Sequence, residues 1–299
     1  MLIIIGSAEE FHSKYVFNVL KERNIDVEYF DSRLYPSKIE LSYTPDMEGY
    51  IKIDSRKIFL NDIQGVYWRW FYGVNYERIE DDFVSNMIFR ERTSALHSLF
   101  CSLKCNWVNS YEAVELHKVK AYELNIMKEN GIRIPKTLIT NDKDALIEFY
   151  EDNDKNVIYK PVLGGAMTQK LTDDDLTNER LDELKSSPVQ LQEFIDGTDI
   201  RIMVMGDEVF PAQIKASTID FRADDNSEIS AVEIPKEVEE DSVKVKNLLK
   251  LNYSGIDVRK SKNGEYVFIE ANPAPMFYHF EKMTKYPITD KLIELLQKP

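Results

Sequence analysis

The chain has 299 residues, 43% hydrophobic and 30% charged, enough to bury a sizeable core spread over two or three lobes. A formal net charge of -14, with no long run of Lys or Arg, speaks against nucleic acid as a partner. MLIIIG is too short for a signal peptide, and no segment approaches the roughly 18 apolar residues of a membrane helix; Cys101 and Cys105 read as reduced thiols of a cytoplasmic protein.

MLIIIGS is an apolar strand ending at a glycine, AEEFHSKYVFNVLKERNI has helical spacing, and VEYFD is a second strand, which makes a βαβ opening. YIKIDSRKIFL alternates as a hairpin, GVYWRW reads as another strand, and a helix covers roughly residues 82 to 104. No GxGxxG follows the first strand, so a dinucleotide fingerprint is missing. NSYEAVELHKVKAYELNIMKENG reads as one helix, capped by Ser110 and ended by Gly131. IRIPKTLIT and NVIYKPV are strands separated by the helical DKDALIEFYED. LGGAM is a glycine loop, an acidic helix spans residues 173 to 186, and beyond Pro188 strands dominate.

In GIDVRKSKNGEYVFIEAN, Asn263-Gly264 predicts a two-residue type I′ turn. Lys262 then pairs with Glu265 and Asp257 lies opposite Glu270. Asn272 shares their face, while Ile256, Val258, Val267 and Ile269 cover the other. Opposed carboxylates repel, and a divalent cation offsets that cost; magnesium takes one or two carboxylates plus substrate phosphates. Asp257, Glu270 and Asn272 are therefore candidate metal ligands, the alternative being a solvated face on which Arg259 neutralises one acid.

Phosphates also need cations. Lys160 is followed by Gly164 and Gly165, which let backbone amides approach an anion, although a Lys beside two glycines equally suits a surface loop, and Lys120 alone is unremarkable. Gln192, Glu193, Phe194 and Ile195 close a strand that leads out of one lobe and offer backbone groups to an adenine edge. A Gly206-Asp207 turn puts Arg201 and Lys215 on opposite faces of the next hairpin; sharing one phosphate requires Pro211 to sit at a bulge or edge that resets the register.

From about Asn109 to Phe277 the ordered motifs HKVKAYELNIMKENGIRIPKTLIT, VIYKPVLGGAM, QEFIDGTDIRIMVMGDEV, DFR and GIDVRKSKNGEYVFIEANP resemble the ATP-grasp ligases, in particular the RimK-type group and the graspetide synthetases that cross-link ribosomal peptides. VYWRW resembles a stretch in the first lobe of the latter. The resemblance implies a three-lobed α/β ATP-grasp fold: a Rossmann-like pre-ATP-grasp domain over residues 1–108, a central lobe over 109–189 and a C-terminal lobe over 190–299, with nucleotide between the last two. It places Lys120 and Lys160 on the ATP phosphates under the LGGAM loop, Glu193 to Ile195 at adenine, and Asp199 at the ribose. Asp257, Glu270 and Asn272 would hold Mg2+, and Arg201, Lys215 and Arg222 would surround the γ-phosphate and the acyl phosphate made from it.

The implied activity is ATP-dependent phosphorylation of a carboxylate, then displacement of phosphate by an amine or hydroxyl. The expected partner is an acidic peptide, a precursor peptide among them, or a small carboxylate, and a homodimer stays open. APMFYHFE after EANP, and Ile214-Lys215 where RimK-type ligases carry an acidic-basic pair, depart from the family pattern and leave the acceptor open. His279 either lines an acceptor pocket or packs among aromatics. The alternatives are a small-molecule carboxylate-amine ligase and, from another class, a nucleotide-binding module without catalysis.

Overall fold

The computed structural model describes residues 1–76, 79–163, 167–216, 218 and 227–298. Gly164, Gly165 and Arg222 lie outside the described residues. The chain divides into two compact units, one made of Met1–Glu115, Lys250–Tyr253 and Pro273–Pro299, the other of Leu116–Leu249 and Ser254–Asn272.

The first unit is built on a parallel sheet in the order Val27–Phe30, Leu2–Ile5, Gly65–Trp68, Asn106–Val108. Leu2 to Ile5 are all buried, as a continuous apolar run in a sheet covered on both faces must be. The Phe11–Glu22 helix starts after Glu10, whose carboxylate accepts the Ser13 N–H, and buries Val16 and Leu20. A separate antiparallel sheet joins Ile39–Tyr43, Gly49–Ile53 and Arg56–Phe59, the last two forming the expected hairpin. The long helix runs Asp82–Ser102, so Cys101 lies in its last turn and Cys105 beyond it; both are free thiols. The C-terminal helix Ile288–Gln297 buries Ile288, Leu292, Ile293 and Leu296, and a Cβ on Gly65 would come within 2.3 Å of the Leu296 carbonyl oxygen. His279 is exposed rather than packed among the neighbouring aromatics.

Asn109 is a polar centre of this unit and is fully buried. Its Nδ2 donates to the Tyr253 and Pro273 carbonyls, both at 2.6 Å, and its Oδ1 accepts the N–H groups of Asn252 (2.6 Å) and Tyr253 (3.1 Å). All four hydrogen-bonding positions of the amide are used.

The second unit contains two sheets. One runs Gln169–Lys170, Val157–Pro161, Val189–Glu193, Thr137–Thr140; its covered face packs Val157 and Leu191 against Leu146 and Tyr150 of the Lys143–Asp152 helix. The other runs Glu228–Ala231, Glu208–Lys215, Gly197–Met205, Tyr253–Ser261, Tyr266–Asn272. Gly197 is required by close approach, because a Cβ there would stand 2.0 Å from the Lys260 carbonyl oxygen. Gly197→Ala is expected to cost about 1–3 kcal/mol as that backbone is forced apart, measured as a lower denaturant midpoint at unchanged slope.

Three sequence expectations change. The helix expected from Ser110 to Gly131 is broken into Tyr111–His117 and Lys120–Glu129, with Val119 non-helical between them at φ −102°, ψ 70°; Gly131 does end the second, at φ +81°. The acidic helix over 173 to 186 is three short pieces, interrupted where Thr177 caps Asn178–Asp182 through its hydroxyl. Beyond Pro188 strands dominate as expected, six against three helices among the described residues, but the helices Lys236–Leu248, Tyr278–Thr284 and Ile288–Gln297 were not anticipated.

The third change concerns the metal-site hairpin. Its loop has three residues, with Gly264 at φ +87°, and Lys260 pairs with Tyr266, one step off the expected register. A bulge that leaves Ile269 unpaired restores the register, and Asp257 lies opposite Glu270 as expected. Ile256, Val258 and Val267 are buried, whereas Ile269 is only partly so.

Candidate active site

Asp257 and Glu270 face each other across the hairpin, with Asn272 two residues further along the same face. Each carboxylate has a cation. Arg201, on the adjacent Gly197–Met205 strand, stands 2.7 Å from Asp257 through Nε, and Lys120, at the first turn of its helix, donates to Glu270 Oε2 at 3.2 Å. Arg259 does not neutralise either acid. Its guanidinium bonds Asp199 Oδ1 (2.6 Å) and the carbonyls of Ile195 (3.0 Å) and Gly197 (3.1 Å), so it fastens the strand to the 195–199 segment.

The electrostatics fit this arrangement. Burial alone would raise the Glu270 pKa, but the fields of Lys120, then Lys160, His117 and Arg201, outweigh it and hold the carboxyl at about 2. Lys160, on the facing sheet, moves down because of burial, opposed by Glu270. The folded Glu270 pKa lies below its unfolded value, so the stability it contributes is complete above about pH 4.5 and is lost as pH falls through 2. The difference in melting temperature between wild type and Glu270→Gln should therefore shrink on acidification from pH 6 to 3, as followed by circular dichroism.

Two residues of the cluster escaped the sequence reading. Glu123 is only 1% exposed; its Oε1 accepts the Ala271 N–H at 2.6 Å and its Oε2 stands 3.1 Å from His117 Nδ1. Lys120 Nζ reaches His117 Nε2 at 2.9 Å. His117 lies between the two, its Nδ1 toward Glu123 and its Nε2 toward Lys120. Glu123 thus braces both Lys120, through His117, and the Glu270–Asn272 strand, through Ala271. The signal in the sequence is a buried-position carboxylate three residues after Lys120 and six after His117.

The other candidates are placed as follows. Gln192 is buried and donates to Thr137 Oγ1 at 3.0 Å. The Glu193 carboxylate accepts the Lys136 N–H (2.8 Å) and pairs with Arg133 (3.1 Å). Phe194 exchanges hydrogen bonds with Asn156, through its N–H at 2.9 Å and its carbonyl at 3.1 Å, so these groups are already engaged. The Ile195 N–H has no partner among the described residues. Lys215 is not brought to Arg201. The register runs unbroken from Met205↔Glu208 to Asp199↔Ile214, which leaves Lys215 exposed on the opposite face. Pro211 does not reset it: its carbonyl takes the Val232 N–H, so its nitrogen faces the same way, past the end of the edge strand Glu228–Ala231.

Two carboxylates and an amide oxygen on one face form a donor set suited to a small hard cation that keeps room for phosphate oxygens. Among the described residues, no three His, Cys, Asp or Glu side chains converge into a complete cage, and no helix is long and apolar enough to cross a membrane.

Comparison with known proteins gives this geometry a family. A model of the RimK-like ATP-grasp domain matches residues 117–296, and a model of the MvdD pre-ATP grasp domain matches residues 1–115. The solved ATP-grasp ligase PsnB, complexed with minimal precursor, is 28% identical with a TM-score of 0.85, over 99% of this chain and 97% of that one. PsnB complexed with a phosphomimetic variant of minimal precursor, Mg and ADP is 28% identical with a TM-score of 0.84, over 99% and 98%. The alpha-aminoadipate–LysW ligase LysX of Sulfurisphaera tokodaii is 24% identical over 213 residues, 67% of this chain and 75% of that one. With cations and oxygen ligands gathered between two sheets, and matches along nearly its whole length, the chain belongs to the RimK-like ATP-grasp family and is an ATP-grasp ligase of the carboxylate-amine type.

Proposed function

We propose that this ligase uses Mg-ATP to activate an acidic side chain of a peptide, and joins it to an amine or hydroxyl to give an amide or ester. The observation that carries the reading is the convergence of Lys120, Lys160 and Arg201 on the face of Asp257, Glu270 and Asn272, with Glu270 held ionised. Lys120 and Lys160 hold the ATP phosphates, and Asp257, Glu270 and Asn272 would hold the magnesium, which would supply positive charge against the charge developing in transfer. The Ile195 N–H donates to the adenine edge and Asp199, oriented by Arg259, accepts from the ribose. Arg201 stabilises the transferred phosphoryl group, and Arg222 shares that role, whereas Lys215, on the opposite face of its strand, takes no part in it. The peptide carboxylate takes the γ-phosphoryl group, releasing ADP; the nucleophile then attacks the acyl carbon and phosphate leaves, for a net loss of one water per bond.

The PsnB complexes, with precursor and with Mg and ADP, support a peptide substrate and this nucleotide. A second reading, ligation of a small amino acid, draws on LysX, whose name pairs alpha-aminoadipate with LysW. The purified chain with Mg-ATP separates the two: ADP release that depends on Glu- and Asp-rich peptides, with a product one water lighter per bond, supports the first. Release with free amino acids alone overturns it in favour of the second.

A further inference from the structure

On the strand Val189–Glu193, Leu191 packs into the core with Val157 and Tyr150, so Gln190 and Gln192 project from the other face of the sheet. Gln190 lies opposite Lys160 on one neighbouring strand and Ile139 on the other; Gln192 lies opposite Ile158 and Thr137. The Lys160 ammonium on this face feels the charges of Glu270, Lys120 and Asp257, so it is the face turned to the candidate site. A cavity of about 310 Å³, bounded by Leu124, Asn125, Thr137 and Ile139 among others, opens on the same side, within the size range of small-molecule pockets. Both glutamines are 1% exposed, yet three of their four side-chain polar atoms have no hydrogen-bond partner among the described residues: Oε1 and Nε2 of Gln190, and Oε1 of Gln192. Buried amides are seldom left so. The orientation of Gln192 is set by its neighbour. The Thr137 hydroxyl gives its one proton to the Pro135 carbonyl at 2.9 Å, so toward Gln192 it can only accept, and it takes the Nε2–H at 3.0 Å. The Gln192 oxygen, an acceptor, is left as the free atom.

We propose that Gln190 and Gln192 read the N6/N7 edge of the purine, and that Thr137 is a positioning residue that selects adenine over guanine by holding the Gln192 amide in one orientation. The inference rests on the Mg-ATP reading above. Adenine presents a donor at N6 beside an acceptor at N7, the pattern that amide side chains match in nucleic-acid recognition. The fixed Gln192 oxygen accepts from the exocyclic amine, and Gln190 Nε2 donates to N7. Guanine carries an oxygen where adenine carries the amine. It therefore sets acceptor against acceptor and leaves the buried Gln192 oxygen unpaired. Ile139 and Ile158, on the same face, give the ring an apolar bed.

The test is calorimetric binding of Mg-ADP, Mg-GDP and the Mg complex of 7-deaza-ADP, which lacks only the N7 acceptor, to the full chain and to Thr137→Val, Thr137→Ser and Gln190→Leu, each checked by circular dichroism. The wild type is expected to prefer ADP over GDP by about 100-fold or more. Thr137→Val frees the Gln192 amide to turn its NH2 toward the guanine oxygen and should cut that preference about tenfold, chiefly through tighter GDP binding, whereas Thr137→Ser keeps it. Gln190→Leu should lose about tenfold for ADP and nothing for 7-deaza-ADP. The wild type should favour ADP over 7-deaza-ADP by the same factor, a comparison that requires no variant to fold. An ADP preference unchanged by Thr137→Val, or equal wild-type affinity for ADP and 7-deaza-ADP, overturns the inference and leaves the use of Mg-ATP standing. Failure of all three nucleotides to bind overturns that use as well.

Discussion

Glu270→Gln is expected to lower ADP release by about 100-fold or more with no change in fold. The substitution keeps the volume and removes one charge at the point where four cationic or polar fields converge. Lys120 and Lys160 then face each other without the carboxylate that separates them, and the proposed magnesium loses one of its two carboxylates. Raising the magnesium concentration should recover part of the loss, because weaker metal binding responds to mass action, whereas a defect confined to phosphoryl transfer does not. A Glu270→Gln protein with full turnover at limiting magnesium would remove Glu270 from the metal site.

Asn109→Ala is expected to be the most destabilising single change, at about 3–5 kcal/mol. Truncation leaves the Tyr253 and Pro273 carbonyls and the Asn252 and Tyr253 N–H groups facing a void, and no water reaches them in a site fully closed to solvent. Asp at the same position would test the donor side separately, since it keeps the acceptor for the two N–H groups but offers nothing to the two carbonyls. Chemical denaturation of the three proteins should rank wild type above Asp and Asp above Ala in midpoint. An Ala variant within 1 kcal/mol of wild type would show that the surrounding backbone finds other partners.

The opposition of Asp257 and Glu270 was legible because the count of residues between them is what matters. The twelve residues from Val258 to Ile269 fit two arrangements: five pairs around a two-residue turn, or four pairs around a three-residue loop plus one bulged residue. Both bring the same two carboxylates together, so the sequence located the pair without determining how the chain turns. The brace at Glu123 was not legible in the same way. The helical spacing of residues 111–130 continues through the break at Val119, and what interrupts it is tertiary: Lys120 turned toward Glu270, and Glu123 bonded to the backbone of another strand. The Lys236–Leu248 helix was missed because its buried face includes Ser242 and Lys246 beside Val238 and Val245. Ser242 satisfies its hydroxyl on the Val238 carbonyl at 2.7 Å, and Lys246 reaches Asp207 at 3.7 Å, so the polar atoms are accommodated where a simple apolar stripe was sought. Lys215 shows the converse: strand parity placed it opposite Arg201 from the start, and the resemblance to a family grouped the two.

The bulge at Ile269 sets the tip of the hairpin one step of register off its base, and the tip is tied to the 195–199 segment by the Lys262 N–H on the Asp196 carbonyl. On the tip side of the bulge the strand is held by the Phe268 N–H on the Arg133 carbonyl, and on the base side by the Ala271 N–H on Glu123, while Lys262, Asn263 and Gly264 are exposed at the tip. The tip is therefore a place to attach things. A fluorophore on Asn263→Cys, or an affinity peptide spliced in before Gly264, would sit on an exposed tip away from Asp257 and Glu270 and leave the site as it is.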